Sequence, residues 1–326
     1  MSRTARAFWV RSPGEGEIRE SVLPAPGRGE VLVRTLYSGV SRATEALVFG
    51  GGVPPSQYGL MRAPFQEGEF DGAVKYGYLS VGVVEEGPPD LVGRTVFALY
   101  PHQTRFVLPR ESVRPVPEDV PARRAVLAGA VETAVNALWD APPLLGDRLT
   151  VVGAGMVGCC VARLAAGVPG VRVQLVDVDP ARARVAERLG VEFALPEEAG
   201  SERDRVFHTS ATEAGLARSL ELVAAEGEVV ELSWYGDRRV SVPLGEYFHS
   251  RRLTVRSSQV GTVAPARGGR RGHGDRLDLA LELLADPAFD MLVTGESPFE
   301  ELPSVMPRLA GGSLPALCHL IVHPRP

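Results

Sequence analysis

RLTVVGAGMVGCCVARL, residues 148–164, decides how the rest of the chain is read. A short apolar strand ends at Val152, Gly153-Ala154-Gly155-Met156-Val157-Gly158 follows, and an apolar helical pattern begins at once. The spacing is that of a dinucleotide-binding turn, and its context, strand then turn then helix, is the required one. Each glycine has its own task. Gly153 permits a tight turn, Gly155 lets backbone approach a pyrophosphate, and Gly158 lets the helix pack on the strand. The helix N-terminus then offers unpaired N–H groups and a positive dipole end to the phosphates. Asp177 closes the next strand, 19 residues after Gly158. Its carboxylate would accept from ribose hydroxyls and repel a 2′-phosphate, so NAD(H) is expected, with NADP(H) the alternative. A glycine-rich turn that binds nothing is the competing reading.

Outward from this stretch, strands and helices alternate: VRVQLVDVD, PARARVAERLG, DRVFHTS, ATEAGLARSLELVAAEG, EVVELSWYG and RLTVRSSQ. Such alternation predicts an α/β domain, a doubly wound parallel sheet covered by helices on both faces. Before it, PARRAVLAGAVETAVNALWDA reads as one buried helix with Pro121 near its first turn. The first hundred or so residues are instead β-rich, with short alternating runs divided by Gly, Pro and Asp. Between Ser41 and Asp71 they hold a short helical piece and a long Gly/Pro-rich loop carrying Tyr58, Met61 and Phe65. The tail is mixed, with helices around RLDLALELLAD and FEELPSVMPRLAGG and a closing strand, ALCHLIVH. The expected division is residues 1–125, then 126–260 as the dinucleotide-binding domain, then a return segment, 261–326.

Composition narrows the function classes. With 326 residues, 44% hydrophobic and 23% charged, the chain is long enough for two domains with real cores. A formal charge of −5 gives no reason to expect nucleic acid. No apolar run has membrane-spanning length and the first residues lack a signal-peptide core, so a cytoplasmic protein without a membrane partner is expected. The three cysteines, Cys159, Cys160 and Cys318, offer neither a disulfide framework nor a zinc knuckle.

The β-rich beginning, the central dinucleotide domain and the short return, with the pieces SGVSRATE, KYGYLSVGVVEE and LAGAVETAVNALWDA, resemble the medium-chain dehydrogenase/reductase superfamily over nearly the whole chain. The resemblance implies a GroES-like catalytic domain beside a Rossmann domain, with substrate between them, and a homodimer formed through a sheet edge such as RLTVRSS. It also implies cofactor contacts from Met156, Val157, Ser210, Ser233, Ser258 and Gln259, the last two in SSQVG.

Its zinc alcohol dehydrogenases carry a cysteine ligand in the first piece, Gly-His-Glu in the second, and a cysteine or glutamate in the third. Here Ser41 or Arg42 stands at the first position, Gly77-Tyr78-Leu79 at the second, and Gly129 at the third, with Glu132 one turn on. Residues 86–110 contain no cysteine, so the structural zinc lobe is missing too. A catalytic zinc needs three protein ligands, and none is expected here. Ser38-Gly39-Val40-Ser41, Thr44-Glu45 and Pro54-Pro55 also resemble the bacteriochlorophyllide hydroxyethyl dehydrogenase branch, which lacks the zinc cysteines. Ala43 and the insertion MRAPFQEGEFD depart from it.

Without zinc, either a protein acid/base replaces the metal or hydride meets a substrate whose charge is delocalised. Tyr78 is the candidate acid/base, with Lys75 to lower its pKa if the two side chains meet, and Thr44 to relay a proton. Glu45 and Glu132 are candidate participants or structural carboxylates. Packing is the competing role for Tyr78, and solvation for Lys75. Arg267, Arg270 and Arg271 read as a solvated loop before an anion site, His319 and His323 as same-face strand residues before a metal site, and Cys159 and Cys160 as helix packing. Trp234 and Tyr235 either wall the nicotinamide pocket or fill it.

The expected function is NAD(H)-dependent interconversion of a secondary alcohol and a ketone on a small organic substrate. The alternatives are NAD(P)H-dependent reduction of an enone or quinone and, in another class, a catalytically inactive dinucleotide sensor.

Overall fold

Alternating β-branched runs become strands and 3.6-period runs become helices in the computed structural model, which describes residues 3–324. Two compact units result. The first comprises the chain up to Gly129, Leu281–Ala285 and Val293 onward; the second comprises Ala130–Ala280 and Asp286–Leu292.

The first unit begins with β1 (Arg3–Ser12), β2 (Glu15–Leu23), β3 (Glu30–Ser41) and α1 (Arg42–Phe49). The loop expected after α1 holds the short strand β4 (Glu67–Gly68), and then come β5 (Val74–Lys75), β6 (Ser80–Glu86), β7 (Thr95–Ala98), β8 (Arg105–Pro109) and β9 (Val113–Pro115). Helix α2 (Ala122–Ala125) follows. The buried helix expected from Pro121 onward is two, because α3 (Ala128–Asp140) starts afresh after a break at Val126 and Leu127.

Most of the second unit alternates. It holds β10 (Arg148–Val152), α4 (Met156–Ala166), β11 (Arg172–Val176), α5 (Ala183–Leu189), β12 (Glu192–Ala194) and β13 (Arg203–His208). Then come α6 (Glu213–Leu222), β14 (Val223–Glu231), β15 (Thr254–Ser257) and α7 (His273–Leu283), whose last residues, from Leu281, belong to the first unit. Helix α6 ends earlier than its sequence pattern, since Val223, Ala224 and Ala225 already belong to β14. The chain closes in the first unit with β16 (Val293–Pro298), α8 (Leu302–Ala310) and β17 (Cys318–Val322).

The six strands of the second unit are ordered β12-β11-β10-β13-β14-β15, and every neighbouring pair is parallel. That is the doubly wound order, in which the chain reverses direction across the sheet between β10 and β13 and ligands bind at the strands' carboxyl ends. Val152, Val176, Val206, Val229, Leu216 and Leu220 pack in one buried cluster there. In the first unit a seven-stranded sheet has the order β16-β17-β3-β6-β7-β9, with β8 also on β3. β3 pairs antiparallel with β17, β6 and β8, which explains why it is buried along most of its length. A second sheet, β2-β1-β5-β4, completes the unit. Among the described residues no helix is long and apolar enough to cross a membrane.

Residues 261–280, expected with the return segment, fall in the second unit. The physical reason is Arg276 on α7, 1% exposed, whose guanidinium lies 3.0 Å from Glu132 on α3 and also donates to Asn136 and to the carbonyls of Val260 and Thr262. One buried cation thereby ties α7, α3 and the 260–262 turn together. Removing one partner of such a pair leaves the other charge buried. The Arg276→Met variant should therefore lose about 3–5 kcal/mol of stability in urea unfolding. A loss below about 1 kcal/mol would show that water reaches Glu132.

Candidate active site

Tyr78 lies between β5 and β6, preceded by Gly77, whose φ of +129° suits only glycine. A Cβ on Gly77 would lie 3.0 Å from the His102 ring, so this residue also makes room for that histidine. The side chains of Ser41 and Thr44, at the junction of β3 and α1, stand close enough to the Tyr78 hydroxyl to favour its ionised form. Burial pushes its pKa up to about 12, and the nearby Glu45 carboxylate adds to the rise against the pull of the two hydroxyls. The phenol is therefore a proton carrier at neutral pH, not a phenolate.

Lys75 does not meet Tyr78. It is 2% exposed, donates to Glu67 and, at 2.7 Å, to Gln103 Oε1, and sits 5.3 Å from the Tyr100 ring centroid. Its own pKa is lowered by burial, against the hydrogen bond and charge of Glu67. The expected lowering of the tyrosine pKa by lysine is thus corrected: the charge acting on Tyr78 is a carboxylate, and it acts upward.

Glu45 anchors a group that the sequence reading missed. Its Oε1 accepts from the Ser41 amide at 2.7 Å and its Oε2 lies 2.8 Å from His102 Nε2. His102 Nδ1 lies 2.7 Å from Ser38 Oγ, and Ser38 Oγ lies 2.9 Å from His323 Nε2. All four residues are buried. Burial, with His102 and Arg6 adding to it, holds His323 well below the usual histidine range. Nothing local in the sequence joins these residues; Ser38 and His323 are 285 positions apart.

In the second unit the glycine-rich turn follows β10 as expected. Gly153 has φ +111°, and a Cβ there would lie 2.7 Å from the Ser210 amide nitrogen. A Cβ on Gly158 would fall 2.0 Å from the Gly153 carbonyl oxygen, whereas one on Gly155 would meet open space. Met156 and Val157 open α4, whose first turn has no side-chain cap. Asp177 follows β11, and its carboxylate accepts from the amides of Ala154 (2.7 Å) and Asp179 (2.9 Å), so it borders the turn directly. These residues fit a dinucleotide: a free first turn, an open cradle at Gly155 and a carboxylate beside it.

A second polar cluster lies at the ends of β13 and β14. His208, paired in register with Glu231, lies 2.7 Å from Glu231 Oε2 and 2.7 Å from Ser210 Oγ. Tyr235 donates to the same Glu231 oxygen at 3.0 Å, and Ser233 Oγ accepts from the Ala211 amide. The structure thus brings the expected Ser210 and Ser233 together, through His208 and Glu231. Thr209 clamps the turn, donating to the Gly153 carbonyl at 2.7 Å. Ser258 donates to Asp140 at 2.7 Å, and Gln259 Oε1 accepts from the Gly261 amide.

The remaining candidates are occupied by structure. Glu132 is the partner of Arg276. His319 bonds Ser297, a different partner from that of His323. Cys159 and Cys160 are buried in α4. Arg270 and Arg271 are exposed, and Arg267 lies over the Trp139 ring. At Gly129, a Cβ would lie 2.6 Å from Leu79 Cδ2, so Leu79 fills the space that a ligand side chain would need. Among the described residues no group of three or more His, Cys, Asp or Glu is placed to hold a metal. The residues at Ser41, Tyr78 and Gly129 do not fit a zinc ion.

No protein-family profile matches the sequence. L-threonine 3-dehydrogenase of Mesorhizobium japonicum is 34% identical over 94 residues, 28% of this chain and 26% of that protein, so the match spans about a quarter of the relative's length. Among solved structures, L-idonate 5-dehydrogenase from Escherichia coli K-12 superposes with a TM-score of 0.81 at 16% identity, covering 99% of both chains. An alcohol dehydrogenase (rspB) from E. coli CFT073, complexed with NADH, superposes with a TM-score of 0.76 at 16% identity, covering 98% of this chain and 99% of that one. At such identities the likeness is one of fold: a GroES-like domain and a Rossmann domain.

The two inner glycines separate stability from binding. Gly158→Ala should cost about 1–3 kcal/mol in thermal or urea unfolding, because backbone must move to admit the methyl. Gly155→Ala should leave the melting curve nearly unchanged and weaken NADH binding. Equal stability of the two variants would contradict the close approach at Gly158.

Proposed function

We propose that this chain is a zinc-independent, NAD(H)-dependent oxidoreductase that interconverts a secondary alcohol and a ketone on a small organic substrate. What supports the reading is Tyr78, whose hydroxyl pKa is pushed up to about 12 by burial and the nearby Glu45 carboxylate, at the position where the sequence resemblance puts a histidine ligand of the zinc alcohol dehydrogenases. When bound, the nicotinamide supplies the hydride acceptor or donor. The chain does the rest. Gly155 and the first turn of α4 receive the pyrophosphate, and Asp177 accepts from the adenosine ribose hydroxyls and disfavours a 2′-phosphate.

Tyr78 donates to the substrate oxygen. A neutral phenol with a pKa of about 12 stabilises negative charge developing on a carbonyl oxygen, as a metal otherwise would. In the reverse direction it receives the alcohol proton while its own passes, by way of the neighbouring hydroxyls, to the Glu45 carboxylate. The wall beside it is aromatic: Tyr58, Phe70, Tyr76 and Tyr78 follow one another at ring-centroid distances of 5.6, 5.9 and 6.0 Å. Such a wall favours substrates with an extended apolar or aromatic face.

A homodimer through β15 is part of the same proposal. That strand is the edge of its sheet and all four of its side chains are exposed, which leaves a row of backbone groups ready to pair. Three buried cysteines outside any disulfide accord with a reducing compartment, the cytoplasm.

Two measurements test the reading. Fluorescence titration should give NADH at least about tenfold tighter binding than NADPH, and Asp177→Ser should narrow the gap. Preference for NADPH would move the reading to enone or quinone reduction. Tyr78→Phe should cost about 10²- to 10⁴-fold in kcat with NADH affinity unchanged. Because the phenol titrates only near 12, the wild-type pH–rate profile should show no Tyr78 limb between pH 6 and about 10. Undiminished turnover by Tyr78→Phe would remove the acid/base role and favour carbon–carbon double-bond reduction. NADH binding without turnover of any substrate would leave a dinucleotide sensor.

A further inference from the structure

A hydroxyl has one proton to give, and at Ser210 the surroundings decide where it goes. Glu231 is the fixed point. Its Oε1 accepts from the Ser233 amide at 2.7 Å and its Oε2 from the Tyr235 hydroxyl at 3.0 Å. Burial raises the Glu231 carboxyl, but the hydrogen bond and charge of His208 and the bonds from Ser233 outweigh it and hold it below the ordinary carboxylate range. Burial and the same carboxylate push the Tyr235 phenol up, so it stays a donor. An ionised carboxylate only accepts, so His208 Nδ1, 2.7 Å away, carries a proton. In the neutral ring Nε2 then has a lone pair, and Ser210 Oγ, 2.7 Å from it, donates.

Thr212 closes the order. Its Oγ1 accepts from the Gly215 amide as the cap of α6 and lies 2.8 Å from Ser210 Oγ. With the serine proton given to His208, the threonine hydroxyl is the donor in that pair. Ser210 is left with one lone pair and no proton to offer, and among the described residues nothing further bonds its Oγ. Room is kept for this arrangement by Gly215 in the first turn of α6, where alanine would be the better helix former. A Cβ there would lie 2.2 Å from Ser210 Oγ, 2.8 Å from His208 Nε2 and 2.9 Å from Thr212 Oγ1.

The same serine borders the glycine-rich turn, since a Cβ on Gly153 would lie 2.7 Å from the Ser210 nitrogen and 2.8 Å from its Cα. His208 is buried and Ser210 only partly so, past the carboxyl end of β13, where a doubly wound sheet binds its ligands. Beside such a turn a dinucleotide presents two kinds of group. Pyrophosphate oxygens only accept, whereas a ribose hydroxyl can donate. We propose that His208 and Glu231 orient the Ser210 hydroxyl as an acceptor for a ribose hydroxyl of the bound dinucleotide, in a space that Gly215 keeps open. This rests on the dinucleotide-binding reading given above. A serine free to rotate would suit a ribose or a phosphate equally. One whose proton is engaged suits the ribose alone, because against a phosphate oxygen two lone pairs would face each other. The cofactor's register is thereby fixed, with pyrophosphate at the start of α4 and ribose at the end of β13. His208 and Glu231 are positioning residues, since they act through Ser210.

One test reads the protein without cofactor. ¹⁵N NMR of the histidine rings at about pH 8 should find His208 neutral, with its proton on Nδ1 and Nε2 as a hydrogen-bonded acceptor. A proton on His208 Nε2, in a neutral or a charged ring, overturns the order. The other test reads binding by NADH fluorescence. Ser210→Ala should bind NADH about fivefold more weakly than wild type. Among NADH analogues that each lack one ribose hydroxyl, one should bind wild type about fivefold more weakly than NADH does, yet bind Ser210→Ala as well as NADH does. Gly215→Ala should weaken NADH binding to a similar extent without lowering the melting temperature, a combination that a packing defect would not show. NADH affinity unchanged in either variant overturns the proposal, as does a set of analogues penalised alike in wild type and Ser210→Ala. If wild type does not bind NADH at all, the dinucleotide reading fails and this proposal falls with it.

Discussion

A carboxylate 4% exposed inside the first unit has to be satisfied, and much of that unit answers to Glu45. Its two oxygens are taken by the Ser41 amide and the His102 ring. His102 can approach only because residue 77 has no side chain, and its other nitrogen requires Ser38 on β3. Ser38 in turn fixes His323 from the far end of the chain, just past β17, the strand that pairs with β3. The neighbouring Tyr78 then stands in the field of a buried negative charge, and the cost of ionising it rises. One buried carboxylate is thereby joined to α1, to the loop before β8, to β3 and to the residue just past β17.

The second unit rests on a steric constraint. Gly153, Gly158 and Thr209 crowd together at the end of β10, and the crowding draws α4 and the 209–210 segment against the turn. The space left over lies at Gly155, beside Asp177. His208 and Glu231 add an ordered polar floor at the ends of β13 and β14, which holds Ser210 in place. The proposed dinucleotide site needs few side-chain contacts, because backbone and the start of a helix would carry most of the recognition.

Local patterns in the sequence carried the second unit well. The strand–turn–helix around Gly153 to Gly158, the position of Asp177 and the alternation that follows are short-range signals, and each glycine has the environment that its spacing implies. Helix ends were less legible: Val223 to Ala225 are apolar at helical spacing but join β14 beside β13, a tertiary preference that overrides the local one. The return segment was misjudged because Arg276 sits in a basic, Gly-rich neighbourhood, and only its buried partner Glu132 shows where α7 belongs. The first unit hid its chemistry more fully. Tyr78 stood out by analogy alone, and the contact of His102 with Ser38 joins the loop before β8 to β3 across 64 positions, with no motif to mark it. Lys75 misled for a related reason: proximity in sequence to Tyr78 did not bring the side chains together, because a buried ammonium took Glu67 and Gln103 instead.

The central claim is that hydride chemistry proceeds at Tyr78 without a catalytic metal. The most direct test is turnover of a secondary-alcohol panel with NAD after dialysis against a strong chelator, with metal content measured on the same samples. The account predicts oxidation at an undiminished rate in protein with far less than one zinc per chain, and no gain on adding zinc. Activity that falls with the metal and returns with it would contradict the account.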